Sequence, residues 1–289
     1  ETLDIIIPDT YKGLPVTKIS ERAFEGCKGL TSVTIGKNVV SIGESAFKGC
    51  YSLTSVNVSD SVAAIGKRTF FGCSQLKSVT LGDNLSVIGE SAFEGCSGLA
   101  DLTIPDSVTK IGKWAFEGCN GLTSVTIGNN VASIGESAFK GCSSLASVTI
   151  PDSVTKIDKW AFLGCSGLTN VAIGNGVTEI GESAFEGCGS LTSVTIGDSV
   201  ASIGENAFLD CSGLKVVNIT DIATWCEIKF GGYLSNPLYY AGNLYVCGEL
   251  LKELTIPDSV TEIGRWVFFG YSNLTSVTIG NGVKIIGES

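Results

Sequence analysis

The chain has 289 residues, a formal net charge of −10, 44% hydrophobic residues and 17% charged residues. This composition excludes an intrinsically disordered chain, and the negative charge argues against binding to nucleic acid or to anionic membranes, which require clustered Lys and Arg. Histidine is absent, which removes the commonest general base and the commonest metal ligand.

Nine cysteines recur at intervals of 23 residues, from Cys27 to Cys211. A fixed period held over so many copies indicates one supersecondary unit stacked on copies of itself. The sequence therefore predicts a single solenoid over residues 1–289. The chain opens inside a strand-like segment and stops partway through a repeat, so we expect a fragment of a longer protein. Its apolar runs are too short for membrane insertion.

One complete repeat occupies residues 122–144. The alternation of Val125 and Ile127 with hydroxyl residues predicts a short strand whose hydroxyls face outward. Residues 131–134 form a second extended piece. The Ser-Ala-Phe-Lys-Gly-Cys stretch that follows is too short for an ordinary α-helix and predicts a 3₁₀ or single helical turn.

Twelve such strands are predicted to stack in parallel. They begin at Thr2, Leu30, Leu53, Leu76, Leu99, Leu122, Leu145, Leu168, Leu191, Leu214, Leu251 and Leu274. The predicted fold is a β-rich repeat solenoid, a right-handed coil or horseshoe, with the 3₁₀ or helical turns on its outer side.

The period is interrupted between Leu214 and Leu251, which lie 37 residues apart. We interpret residues 220–250 as an aromatic-rich insertion within the solenoid. Its LYYAGNLYV segment places Gly242-Asn243 between apolar alternations, which predicts a β-hairpin.

The repeat follows the pattern LxxVxI(P/G)xxVxxIGxxAFxGC, as in LTSVTIGKNVVSIGESAFKGC from Leu30 to Cys50. This pattern resembles the BspA-like branch of the leucine-rich repeats. The resemblance covers nearly the whole chain except residues 220–248, and Tyr271 stands where the pattern has Cys. It implies a cell-surface or secreted protein that acts as an adhesin or interaction protein.

The cysteine column predicts buried free thiols. Zinc sites need closely spaced ligand pairs, and stacked side chains that point the same way do not give the disulfide torsion. We expect these cysteines to act as small hydrophobes. Cys226 and Cys247 lie outside the column, and whether they form a disulfide depends on an oxidising compartment.

Two columns of polar residues are interpreted as stabilising the fold and not as binding sites. Charges alternate in sign at every coil from Glu44 to Glu182, which predicts weak attraction between neighbouring coils. An Asp/Asn column, which includes Asp106 and Asn129, follows the first strand of each repeat and predicts Asx-type turns.

The outward face of the first strands is rich in hydroxyl groups. The candidate residues on it are Thr34, Ser124, Thr126, Ser193 and Thr195. One interpretation is that Thr simply favours strands. The other is a recognition surface for a protein or glycan, with an ice-binding face as a third possibility.

Aromatic residues supply the other binding candidates. Trp114, Trp160 and Trp266 share one column, and Ser137 between the first two predicts a shallow slot two coils wide. Exposed Trp is enriched at binding hot spots, and the alternative is packing on the coil below. The aromatic residues of the insertion either bind a ligand or form a small core that joins the insertion to the stacked coils. Its candidates are Trp225, Tyr233, Tyr239, Tyr240 and Tyr245.

The sequence predicts no catalytic residue, no metal site and no cofactor. It predicts a non-catalytic, adhesin-like binding module, extracellular or at the cell surface, that recognises a host protein or glycan through an extended repeat face. The alternative is a structural spacer that presents other domains of a larger surface protein. The sequence does not indicate an oligomeric state.

Overall fold

The computed structural model describes residues 3–288. The strand predicted to begin at Thr2 therefore begins outside the described residues. The chain forms a β-solenoid of about 12 turns with parallel strands and few helices, which confirms the predicted fold class. Each regular coil contributes one strand to a first sheet and one to a second sheet.

The first sheet contains the strands that start the repeats. They are Leu3–Ile7, Leu30–Ile35, Ser55–Asn57, Ser78–Thr80, Asp101–Thr103, Ser124–Thr126, Ser147–Ile150, Asn170–Ile173, Ser193–Thr195, Val216–Ile219, Leu244–Val246, Glu253–Ile256 and Ser276–Ile279. The ladder is interrupted after Ser78–Thr80 and before Glu253–Ile256, and within each of the three resulting groups neighbouring strands pair in register, as Ser147 does with Asn170. Along most of these strands the apolar side chains alternate into the core, as period-two alternation requires, whereas Ser276–Ile279 in the last coil is exposed throughout.

The second sheet consists of two-residue strands. They are Lys18–Ile19, Ser41–Ile42, Ala64–Ile65, Val87–Ile88, Lys110–Ile111, Ser133–Ile134, Lys156–Ile157, Glu179–Ile180, Ser202–Ile203, Lys229–Phe230, Glu262–Ile263 and Ile285–Ile286. The strands up to Phe230 form one continuous ten-stranded sheet, and the last two pair separately.

The third side of each coil is built from consecutive turns, where we expected a 3₁₀ or helical turn. Cys142 N–H donates to Phe139 O in its own coil (3.1 Å), whereas Phe139 N–H donates to Ala161 O in the next coil (2.8 Å). Positive φ angles at Ser137 (54°) and Gly141 (72°) interrupt any helix. Half of the peptide groups on this side therefore link neighbouring coils.

A column of phenylalanine rings runs through the core. Successive rings are stacked, with centroids 5.1–5.4 Å apart and planes within 16° of parallel. The members are Phe24, Phe47, Phe70, Phe93, Phe116, Phe139, Phe162, Phe185 and Phe208. Offset-stacked aromatic pairs add stability beyond the area they bury.

The cysteine column lies beside these rings as free thiols, buried except for the half-buried Cys27, as predicted. Each thiol from Cys50 onward donates to the carbonyl of the phenylalanine in the previous coil, at 3.1–3.4 Å. Cysteine is thus a hydrogen-bond donor between coils as well as a small hydrophobe. Burial raises the pKa of the Cys119 thiol well above its usual range.

The two polar columns also join coils. Glu136 lies between two lysines, with Lys113 Nζ at 2.9 Å and Lys159 Nζ at 3.8 Å from its carboxylate oxygens. Asp106 Oδ1 accepts from Asn129 N–H in the next coil at 2.7 Å. The Glu136 contacts are the attraction between neighbouring coils that we predicted for the charge column, whereas Asp106 bonds to the following coil where we predicted a turn within its own.

The insertion replaces regular coil structure with short helices. Helix α1 (Ile222–Glu227) starts at Asp221, whose carboxylate accepts from Ala223 N–H. A 3₁₀ turn (Tyr233–Ser235) and helix α2 (Leu238–Ala241) follow. Between and after these helices the chain adds a strand to each sheet, Lys229–Phe230 and Leu244–Val246.

The hairpin prediction for LYYAGNLYV was wrong. Residues 238–241 are helical, and the helix ends at Gly242 in the left-handed conformation (φ 61°). An antiparallel pair does form later, between Leu244–Val246 and Glu249–Leu250, and it turns at Cys247-Gly248. A smaller hairpin, Thr10–Tyr11 with Leu14–Pro15, lies in the first coil.

Candidate binding surfaces

An open groove of about 1330 Å³ lies over the outer face of the first sheet. It crosses five neighbouring coils, from strand Ser78–Thr80 to strand Asn170–Ile173. One column of outward-facing hydroxyls runs along it, made of Thr80, Thr103, Thr126 and Thr149. The repeat therefore places identical donors and acceptors at intervals of about 4.8 Å along the groove.

Carboxylates border this hydroxyl column. The lining contains Asp83, Asp101, Asp106 and Asp152, and it includes neither Lys nor Arg. Asp101 Oδ1 accepts from the Ser124 hydroxyl at 2.6 Å, which fixes the orientation of both side chains. The groove offers oriented hydroxyls and negative charge to whatever binds there.

The predicted sheet-face residues are distributed unevenly over this surface. Thr126 lines the groove, and Ser124 is exposed beside it. Thr34 is exposed on the same face near the start of the solenoid, and Ser193 and Thr195 are half-buried beyond the other end of the groove.

The three column tryptophans are half-buried and adopt the left-handed conformation. Their φ angles are 56° for Trp114, 60° for Trp160 and 62° for Trp266. Such angles are strained for a bulky side chain. Ser137, which lies between Trp114 and Trp160 in the column, is 1% exposed, and the Lys159 ammonium lies 4.4 Å from the Trp160 ring centroid and 3.8 Å from a Glu136 carboxylate oxygen.

The insertion aromatics do not form one surface. Trp225 is 1% exposed, and its Nε1–H donates to Val267 O at 3.2 Å, so the prediction that it binds a ligand was wrong. It packs edge-on against Phe230 (5.6 Å) and joins the insertion to the coils that follow. For Trp225 the alternative interpretation given above is correct: it belongs to a small core that connects the insertion to the stacked coils.

Tyr233 and Tyr239 do come together at the surface, 46% and 41% exposed. They contact Phe269, with ring centroids 5.5 and 5.9 Å away, respectively. Tyr240 packs against Tyr239, and its hydroxyl accepts from Asp210 N–H at 2.9 Å. Tyr245 lies elsewhere, on the first sheet beside Asn218.

Sequence reasoning missed Phe269 and the acidic border of the groove. Phe269 directly follows the phenylalanine of its repeat, at a position where most coils have Glu or Lys and only Phe71, Leu163 and Leu209 are also apolar, so its departure from the usual charge is visible in the sequence. Asp83, Asp106 and Asp152 belong to the Asp/Asn column for which we predict turns, and Asp101 lies outside that column.

The two cysteines outside the column are free. Cys226 is buried, and burial raises the pKa of its thiol to about 12. Cys247 is exposed, and its thiol donates to Thr220 O at 3.2 Å. Over residues 3–288 no group of three or more His, Cys, Asp or Glu could hold a metal ion, and no helix is long and apolar enough to cross a membrane.

Stacked coils with a parallel sheet, repeat-length register and a column of buried leucines define a leucine-rich-repeat protein. Residues 4–122, 86–215 and 242–289 match the BspA type leucine rich repeat region, with six copies. The chain therefore belongs to the BspA-type leucine-rich-repeat family, as the sequence pattern predicted.

Solved structures agree with this assignment. A leucine-rich repeat protein from Bacteroides ovatus is 33% identical, with a TM-score of 0.72 over 99% of this chain and 71% of that chain. A T. pallidum leucine rich repeat protein is 30% identical, with a TM-score of 0.50 over 66% of this chain and 78% of the other. The pneumococcal vaccine antigen PcpA shares the fold at 19% identity, with a TM-score of 0.51 over 100% of this chain and 79% of its own. A comparison with curated proteins gave no match.

Family membership gives a general expectation of function. BspA-type leucine-rich-repeat proteins are typically surface or secreted proteins, and leucine-rich-repeat folds generally mediate protein–protein interaction without catalysis.

Proposed function

We propose that this protein is a non-catalytic, adhesin-like binding module, secreted or at the cell surface, that recognises a host protein or glycan through the first sheet. The observation that carries the proposal is the open groove over five coils, with its threonine column and acidic border. Many weak contacts along such a face add up, because each additional coil engages the ligand at high effective concentration.

The chemistry of the groove favours polar partners. Glycan hydroxyls match oriented carboxylates and threonine hydroxyls, and the basic side chains of a protein match the four lining aspartates. Trp114, Trp160 and the surface pair Tyr233 and Tyr239 lie outside the lining of the groove and are separate candidate anchors, since aromatic residues are enriched at hot spots.

The test is a binding screen against host matrix proteins and glycan arrays. Thr126→Arg places a long side chain in the middle of the groove, and Thr34→Arg places the same side chain at the equivalent position of a coil outside it. We expect Thr126→Arg to abolish binding while Thr34→Arg leaves it intact. If Thr126→Arg and Thr34→Arg changed the binding affinity equally for every ligand found in the screen, the proposal would be contradicted.

The second candidate is a structural spacer, which is favoured by the continuous stack of rings from Phe24 to Phe208. A spacer would bind nothing in the screen, and Thr126→Arg would have no consequence.

A further inference from the structure

The groove over the first sheet has a partly apolar floor. Val79 and Val125 occupy core-facing positions of their strands, yet both are half-buried and line the groove, whereas Val148 at the equivalent position is 3% exposed. Strand pairing is also incomplete at these two places. The ladder is interrupted after Ser78–Thr80, and Ser124–Thr126 pairs with the following strand through one residue. Apolar surface that is buried in the coil of Val148 is therefore available to a ligand here.

The threonine hydroxyls of the groove are free to bind. Within residues 3–288 the hydroxyls of Thr103, Thr126 and Thr149 make no hydrogen bond to another group of the protein. By contrast, those of Thr123 and Thr169 donate to a backbone carbonyl of the preceding coil at 3.0 and 2.9 Å. A free hydroxyl both donates and accepts, so the column can bond to the peptide N–H and C=O groups of a chain that lies along the groove.

The groove carries a negative charge that no basic side chain neutralises. Its lining contains four aspartates and neither Lys nor Arg, so the charged lining residues sum to −4. Within residues 3–288 none of these aspartates forms an ion pair. Lys77, directly before the first strand of the groove, lies outside the lining. The lysines of the same coils, Lys110 and Lys156, begin strands of the second sheet, so the acidity is local to the first sheet.

Three of the carboxylates are fixed in orientation and keep one oxygen free. Asp106 Oδ1 and Asp152 Oδ1 each accept from a backbone N–H of the next coil at 2.7 Å. Asp101 Oδ1 accepts from the Ser124 hydroxyl at 2.6 Å. The second oxygen of each group accepts no hydrogen bond within the described residues. A guanidinium or ammonium group can pair with that oxygen without displacing the existing bond.

We propose that the groove binds an extended basic segment of a partner protein and not a glycan, an inference that rests on the proposed function of the groove. The Lys or Arg side chains of the segment pair with the free carboxylate oxygens, and its backbone bonds to the threonine hydroxyls. Its small aliphatic side chains cover Val79 and Val125. The groove spans four intervals of about 4.8 Å, or about 19 Å, which about six extended residues cover. Anionic glycans are repelled by the same charge.

The experiment titrates the isotope-labelled full chain with the acetylated and amidated peptide RTVRTVR and follows the amide chemical shifts. We expect saturable shifts at Thr103, Thr126 and Thr149, and no binding to Thr126→Arg. A matched peptide with citrulline in place of each Arg keeps the shape but lacks the charge, and we expect about tenfold weaker binding. Raising NaCl from about 0.05 M to about 0.5 M should weaken binding of the Arg peptide by about fivefold. The neutral oligosaccharide chitohexaose should not compete with it.

A pair of matched variants tests the carboxylates. Asn occurs naturally in the same column, and Asn175 Oδ1 accepts from Asp198 N–H at 3.1 Å, so an amide preserves the bond between coils. Asp106→Asn with Asp152→Asn should therefore stay folded and bind the Arg peptide about fivefold more weakly. Asp198→Asn with Asp258→Asn makes the same change in charge in the same column but outside the lining, and should leave the affinity unchanged.

Four results would overturn the inference. They are the absence of any saturable shift, shifts away from the groove, equal affinity for the citrulline peptide, and equal effects of the two double variants. A neutral glycan that binds the unmodified protein but not Thr126→Arg would also overturn it, while leaving the groove as the binding face. The basic partner and the proposed function of the groove can therefore fail separately.

Discussion

Replacing Phe139 by leucine tests whether ring stacking stabilises the solenoid beyond simple burial. Phe139 is fully buried, with its ring centroid 5.2 Å from Phe116 and 5.3 Å from Phe162. Each aromatic pair is worth about 0.5–1.5 kcal/mol beyond area burial, so the loss of both costs about 1–3 kcal/mol. The cavity left by the smaller side chain adds about 1 kcal/mol.

Phe24→Leu is the matched control, because Phe24 is only half-buried and stacks on one ring of the column, Phe47 at 5.1 Å. We expect it to cost about half as much as Phe139→Leu. Urea unfolding followed by circular dichroism gives both free energies, and hydrogen exchange shows whether the loss is centred on the coils next to Phe139. If Phe139→Leu costs no more than Phe24→Leu, the stacking argument is refuted.

Three further predictions concern other contacts between coils. Burial raises the pKa of the Cys50 thiol from 9.0 to about 11 in the folded protein. Below pH 9 the thiol is neutral in both the folded and the unfolded protein. Between pH 9 and about 11 it ionises in the unfolded protein only. Stability should therefore fall with rising pH in that window, by about 1.4 kcal/mol per unit for this thiol, and Cys50→Ala should reduce the slope of the unfolding free energy against pH. Trp225→Phe removes the bond to Val267 O, and hydrogen exchange should increase in residues 253–288 while residues before the insertion stay protected; uniform exchange would contradict this role. Glu136→Gln should cost about 0.5–1 kcal/mol at low salt and less in concentrated salt, measured by urea unfolding, whereas a cost independent of salt would argue against ion pairing.

The regular coils could be predicted because every relevant contact repeats. The cysteine spacing gave the coil length, and the alternation around Val125 gave the inward and outward faces. Once copies are stacked, a side chain at one position lies above its equivalent in the previous coil, so local pattern and tertiary contact coincide. Buried thiols at Cys119 and its equivalents followed from this rule.

The insertion could not be predicted in the same way, because its contacts are not periodic. Trp225 is buried by Val267, 42 residues later in the chain, and no local pattern contains that information. Strand Leu244–Val246 extends the first sheet, but Leu244 lies 27 residues after its partner Val217, so the 23-residue period does not locate it. The groove was also missed, since its lining combines side chains from five coils.

The left-handed column that holds the tryptophans limits what evolution can place at one corner of every coil. Its other members with positive φ are Arg22, Ser45, Arg68, Ser91, Ser137, Ser183 and Asn206, and none of the column is β-branched. Branching at Cβ is disfavoured in this conformation, and the residues present are either small and buried, as Ser45, Ser91, Ser137 and Ser183 are, or larger and at least partly exposed. From Arg22 to Asn206 the buried serines alternate with these larger side chains, so the size of the residue at this corner in one coil is coupled to the residues in the coils on either side.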